Sequence, residues 1–210
     1  MKKTIITLAL TASCMLSYAQ ETISLPAPAT KAAYGMSVME ALRERRSERA
    51  YVDTQLSKEQ LSTVLWAACG VSDELTGKIT APSAMNKQDI TLYVTCKDGT
   101  WRYDNKGNKL IAVSKKDLRK EVAVNQEFAA KAPVNIIIVS NLNVYGKKGL
   151  EFGSMSAGYV SENIYLACTA MGLSTVARAT MNEEVLRQEL QLKDGEKLML
   201  NHPVSIKIAE

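Results

Sequence analysis

The run Val134-Asn-Ile-Ile-Ile-Val139 constrains this chain more than any other segment. Its residues are β-branched and almost all apolar, with no polar alternation to offer water, so it reads as a strand buried on both faces. Such a strand needs a sheet beside it and a covering layer above and below. Ile90 to Cys96 reads as a second strand, and Trp101 to Tyr103 pairs with Lys109 to Val113 across Asp104-Asn-Lys-Gly-Asn108 as a hairpin. Ser174 to Ala179 reads as another strand, and Lys197 to Ile208 as a closing strand pair interrupted by Pro203. The hairpin and the irregular element order argue against a doubly wound parallel sheet and favour an α+β sandwich.

The covering helices announce themselves by their caps. Ser37 precedes Glu40, and Ser57 precedes Gln60, at capping-box spacing. The second of these helices carries Leu61, Val64, Leu65 and Ala68 at helical period and stops at Gly70. Ser114 is read as the cap of a helix running to Lys131, with Asn125 in its middle. Ser156 to Met171 is a helix apolar on most sides, ended by Gly172, and Asn182 caps a short amphipathic helix. Residues 71–89 and 141–153 are expected as loops.

Residues 1–19 stand apart from this domain. Lys2 and Lys3, the apolar run Ile5 to Leu16 and the small-x-small Ser17-Tyr-Ala19 have the layout of a secretory signal peptide, too short in its apolar part to span a membrane. Cys14 offers a rival reading as a lipid-modified cysteine, although Thr11 stands where a lipobox wants leucine. Either way the chain is expected to be exported, to the periplasm or beyond, with residues 20–36 as an extended arm and 37–210 as the domain. The formal net charge of +4 drops by two with the leader, which gives no electrostatic case for nucleic acid. Cys69 and Cys168, on predicted helices among apolar neighbours, read as buried thiols rather than a disulfide framework.

The single histidine, His202, cannot make a triad or a His-rich metal site, and no zinc, calcium, dinucleotide or Walker signature occurs. What remains is a set of polar residues that core building leaves idle. Arg45-Arg46-Ser47-Glu48-Arg49 puts three donor forks and a hydroxyl where a helix should end, suited to a phosphate or simply to the helix dipole. Pro82-Ser-Ala-Met-Asn-Lys-Gln88 is either an ordinary turn or a bent loop aiming Ser83, Asn86 and Gln88 at one polar heterocycle. Asn125 and Asn163 lie on predicted helices, where asparagine hints at a tertiary hydrogen bond if buried.

These segments resemble the FMN-dependent nitroreductase family. Arg45-Arg-Ser-x-Arg49 is similar to its opening motif, and Pro82-Ser-Ala-x-Asn-x-Gln88 to its second. Gly158 through Gly172-Leu-Ser-Thr175 resembles its central helix and following turn, and Gly195 to Pro203 its closing strand. The resemblance implies a three-layer α/β/α sandwich with a mixed, mainly antiparallel sheet, a homodimer, and FMN at the dimer interface. Carried over, Arg45, Arg46 and Ser47 would meet the phosphate, ribityl chain and pyrimidine edge, with Arg49 nearby. Pro82, Ser83, Ala84 and Asn86 would reach in from the second subunit, supported by Gln88, while Asn125 would face the flavin. The backbone of Arg178, Ala179 and Thr180 would supply an N–H near flavin N5.

No protein acid or base is required by that resemblance, because the flavin carries the hydride and the protein supplies binding and orientation. Two departures are visible: Ala84 stands where a second serine is common, and the basic segment that usually follows the last strand is missing before Glu210, which leaves the phosphate to the arginines. The function expected is therefore an exported FMN-dependent oxidoreductase. NAD(P)H is the usual family reductant, yet an exported protein would hardly meet it, and a branch of the family oxidises azoline rings in peptides without nicotinamide. A flavin-binding or sensing module with little turnover is the alternative.

Overall fold

The two serine caps form as their spacing predicts. In the computed structural model, which describes residues 20–30 and 34–208, Ser37 Oγ accepts from the Glu40 N–H at 3.2 Å while Glu40 takes the Ser37 N–H at 2.8 Å, opening α1 (Val38–Glu44). Ser57 and Gln60 repeat the exchange at 3.1 and 2.9 Å to open α2 (Lys58–Cys69). Each serine cap contributes about 1 kcal/mol. The proposed leader and Cys14 lie outside the described residues.

The sheet is built on β7 (Val134–Asn141), the strand expected to be buried on both faces. It pairs with β4 (Ile90–Cys96) on one side and β9 (Glu196–Ile206) on the other. Beyond β4 lie β5 (Gly99–Asp104), β6 (Lys109–Ser114) and the edge strand β1 (Thr22–Ser24), while β8 (Leu173–Thr175) closes the opposite edge. The order is β1-β6-β5-β4-β7-β9-β8, and each of these pairings is antiparallel. The extended arm thus contributes a strand. A small separate ribbon joins β2 (Val71–Asp73) to β3 (Lys78–Ile79) within the stretch expected as loop.

Alternation along β7 sorts the core into two layers. Ile136 and Ile138 join Leu92 and Val94 under α2 and the long α5 (Gly149–Ala170). Ile137 and Val139 join Tyr93 on the opposite face, covered by Leu118 and Val122 around α3 (Arg119–Ala123) and by Leu186 and Leu190 around α6 (Glu183–Glu189). This is the expected α/β/α sandwich. Burying six side chains the size of Ile136, Ile137, Ile138, Val139, Leu92 and Val94 supplies roughly 1.5–3 kcal/mol apiece before chain entropy is subtracted.

Four local expectations are corrected. Ser114 ends β6 instead of capping a helix, and its hydroxyl donates to Glu189 at 2.8 Å. The helix expected as far as Lys131 is broken: α3 stops at Ala123, Val124 turns left-handed at φ 54°, and only the turn α4 (Glu127–Ala130) follows. The loop expected over 141–153 is largely helical, with 3-10 turns at Leu142–Lys148 and α5 beginning at Gly149. Finally, β9 runs straight through Pro203. Asn201 exchanges both backbone bonds with Arg178, so by parity Pro203 turns its missing N–H the same way, toward the neighbour strand, and there β8 has already ended at Thr175.

Candidate active site

The first motif begins where α1 runs out. Arg45 leaves the helix at φ −53°, ψ 124°, and its guanidinium lies 5.0 Å above the ring of Tyr165 on α5. Ser47 Oγ stands 2.9 Å from the Tyr165 hydroxyl, which also accepts the Ala177 N–H at 2.8 Å. The Glu48 N–H donates to Thr175 O at 2.9 Å, so the motif is laid against the edge of β8. Arg46 is turned onto the Arg43 and Arg45 carbonyls at 2.8 and 2.9 Å, and Arg49 onto Ser47 O at 3.3 Å. The adjacent acids are engaged elsewhere, Glu44 by Arg43 and Glu48 by Lys207. Among the described residues Arg45, Arg46 and Arg49 have no carboxylate partner.

Arg178, Ala179 and Thr180 follow directly from Ala177, on the same side of the fold. Arg178 departs from expectation: its N–H donates to Asn201 O at 2.9 Å and its buried guanidinium is used inside the protein. Nε donates to Gln126, Nη1 to Val122 O and Asn201 Oδ1, and Nη2 to Ala123 O, with the Phe128 ring 5.8 Å away. Ala179 and Thr180 are exposed, and among the described residues their N–H groups have no protein acceptor. Asn125 is exposed in the break after α3, one residue from Gln126, so the structure brings it beside the Arg178 segment although not from mid-helix.

The second motif lies elsewhere in the chain's own fold. Ser83 Oγ accepts the Gln88 N–H at 2.8 Å, and Gln88 Nε2 donates to Gly77 O and Asn86 Oδ1, which holds Pro82, Ala84 and Asn86 on an exposed or half-buried turn. Met85, Asn86 and Gln88 are all left-handed, a conformation that costs a non-glycine residue about 1 kcal/mol or more. The loop exits at Asp89, beside the end of β7 where Ile90 pairs Ser140, whereas the first motif sits at the Val134 end, where Val204 links β7 to Thr175. The length of a strand such as β7, roughly 20–25 Å, separates the two motifs within one chain.

Two residues that organise these segments went unnoticed in the sequence. Tyr165 is one aromatic on a helix apolar on most sides, and no local pattern marks it. Asp89 is a buried carboxylate accepting from Ser140 Oγ and the Tyr145 hydroxyl, each at 2.6 Å. A charged residue directly before an apolar strand was the available signal. His202 is fully buried between Ser161 Oγ at 2.8 Å and Thr175 Oγ1 at 3.1 Å, and burial pulls its pKa down to about 3, so it is a neutral structural group at ordinary pH. Asn163 is half-buried and lines an apolar cavity of about 390 Å³ with Trp66 and Leu166, which holds none of the expected site residues. Cys69 and Cys168 are buried free thiols.

Comparison with known proteins settles the family. The family model for the nitroreductase family matches residues 42–204, well over half of the chain. This chain belongs to the nitroreductase family. A protein of Methanocaldococcus jannaschii provisionally named a nitroreductase is 32% identical over 182 residues, covering 80% of this chain and 90% of the relative. The crystal structure of a provisionally named nitroreductase from Ralstonia eutropha superposes with a TM-score of 0.82 at 32% identity over 90% of each chain. An FMN-dependent nitroreductase from Clostridium difficile shares the fold at a TM-score of 0.59 and 18% identity, covering 82% of this chain and 88% of that one. Among the described residues of this nitroreductase-family chain, no helix is long and apolar enough to cross a membrane.

Proposed function

We propose that this protein is an exported FMN-dependent oxidoreductase that works as a homodimer. The observation that carries the reading is the cluster of Arg45, Arg46, Arg49 and Ser47, which among the described residues has no carboxylate partner, beside the Ala179 and Thr180 amides, which among the described residues have no protein acceptor. A phosphate fits guanidinium forks and a hydroxyl, and a polar heterocycle fits backbone N–H donors. The separation of the two motifs along β7 supports a dimer, because a second copy can bring its Pro82–Gln88 loop to the first copy's arginines.

When bound, FMN supplies two-electron chemistry, accepting a hydride from one substrate and passing it to another. The chain's part is to anchor and orient: Arg45, Arg46 and Arg49 hold the phosphate end, Ser47 a polar edge, and the Ala179 or Thr180 N–H the ring. Ser83, Asn86 and Ala84 of the facing loop close the site, with Gln88 bracing that loop at Gly77. His202, buried and neutral, takes no proton in this scheme. Residues 1–19 act as the export signal, so the reductant is drawn from outside the cytosolic nicotinamide pool.

The test is the visible spectrum of residues 20–210 purified alone and after dialysis with FMN. A bound-flavin spectrum in the parent protein, lost in Arg45→Ala and in Asn86→Ala, is the expected result. An absence of flavin under both conditions would overturn the enzyme reading. Anaerobic bleaching then ranks NADH, NADPH and organic donors, and steady-state turnover with any pair separates an enzyme from a binding module. N-terminal sequencing of protein recovered outside the cytosol, starting at Gln20, tests the export claim.

A further inference from the structure

Ser47 is the only hydroxyl of the first motif, exposed on its outer side and in hydrogen-bond contact with Tyr165 on its inner side. The Tyr165 side chain is buried, 8% exposed, and its oxygen receives the Ala177 N–H at 2.8 Å. The phenol's own hydrogen still needs an acceptor, since a buried unpaired hydroxyl proton costs about 1–3 kcal/mol. Ser47 Oγ at 2.9 Å is the acceptor within reach among the described residues. With Ser47 accepting from Tyr165, its own hydrogen is left free for a ligand, since Ser47 is exposed and its Oγ has no other hydrogen-bond partner among the described residues.

The Tyr165 ring is itself held. His202, fixed through Ser161 and Thr175, packs against it with ring centroids 5.2 Å apart at 83°. The Arg45 guanidinium covers it at 5.0 Å, in cation–π range. One side chain therefore touches both Arg45 and Ser47 and ties them to the segment leading to Ala179 and Thr180.

We infer that Tyr165 is a positioning residue for the cofactor site, fixing Ser47 as a directed hydrogen-bond donor to an acceptor oxygen of the bound flavin nucleotide. This rests on the FMN reading given above. It acts through Ser47 and does not itself touch the ligand.

The experiment is a double-mutant cycle read by FMN dissociation constants, measured by flavin fluorescence on the parent protein, Tyr165→Phe, Ser47→Ala and the double variant. Apo-protein thermal midpoints are recorded for each, and Tyr165→Phe keeps the ring that packs on His202 and Arg45. Each single variant should bind FMN roughly three- to tenfold more weakly, and the double variant no more weakly than the worse single. A purely architectural Tyr165 hydroxyl, acting through Ala177, would instead weaken binding by the same factor whether or not Ser47 is present. That multiplicative result overturns the inference, as does unchanged affinity in either single variant. Failure of the parent protein to bind FMN would instead bring down the FMN reading, and this proposal with it.

Discussion

Arg178 and Asn201 are joined four times: they exchange both backbone hydrogen bonds, at 2.9 and 2.7 Å, Arg178 Nη1 donates to Asn201 Oδ1 at 2.7 Å, and Asn201 Nδ2 returns a bond to Arg178 O at 3.1 Å. Among the described residues the guanidinium has no carboxylate partner, and four of its five N–H donors go to neutral oxygens, including the Val122 and Ala123 carbonyls at the end of α3. Such a group is tolerated when its donors are paired and costly to disturb. Arg178→Met should lower unfolding stability by about 3 kcal/mol in urea titration, and Arg178→Lys by nearly as much, because an ammonium cannot reproduce the fork. A neutral Arg178→Met would mean that water replaces those bonds at no cost.

Burial of His202 makes stability depend on pH in a defined direction. The imidazole titrates near 6.5 when unfolded and at about 3 in the fold, because burial penalises its charged form. Between those values the unfolded chain binds the extra proton, so the stabilisation present above pH 6.5 is lost progressively as pH falls toward 3. The steepest slope from this group is on the order of 1.4 kcal/mol per pH unit. His202→Gln, which keeps hydrogen-bonding capacity without the titration, should flatten the stability profile measured from pH 7 down to 4. An unchanged slope would assign the acid sensitivity to other groups.

Gly153 is a close-approach glycine. A Cβ there would lie 2.6 Å from Ser140 Oγ and 2.7 Å from Leu142 Cδ2, and Ser140 is the donor that holds Asp89. Gly153→Ala gains up to about 1 kcal/mol of helix propensity and loses roughly 2–3 through overpacking. The net expectation is a lower thermal midpoint, and a raised midpoint would show that α5 can lift off β7 freely.

Asp89 holds the exit of the second motif with two hydroxyl donors. In Asp89→Ala the Ser140 and Tyr145 hydroxyls lose their acceptor inside the protein, at a cost of about 3 kcal/mol. Asp89→Asn should lose less, since either hydroxyl can rotate to accept from the new amide. Equal losses in the two variants, measured by chemical denaturation, would argue that charge rather than hydrogen bonding is what the site requires.

Much of this architecture was legible because its causes are local. The serine caps act over three residues, the β7 run declares its burial by composition, and the Asn182 cap accepts the Val185 N–H at 3.4 Å as its position suggests. The failures are equally specific. A helix through Asn125 was reasonable by propensity, but Val122 O, which a continuous helix would give to the Gln126 N–H, instead takes the Arg178 guanidinium from a distant part of the chain. Ser114 looked like a cap because its hydroxyl is suited to one, yet Glu189, 75 residues on, claims it. Pro203 looked like a strand breaker, and the early end of β8 removes the reason for it to break anything.

By itself the sequence determined the caps, the doubly buried strand, the two-layer covering and the family motifs in their order, since each depends on residues within about one helical turn or one strand. Only the tertiary structure decided that the two polar motifs sit at opposite ends of β7, and that Tyr165 joins Arg45, Ser47 and Ala177. Those relationships are set by strand order and by which buried donors must find acceptors. Both are properties of the packed chain, and no spacing along it encodes them.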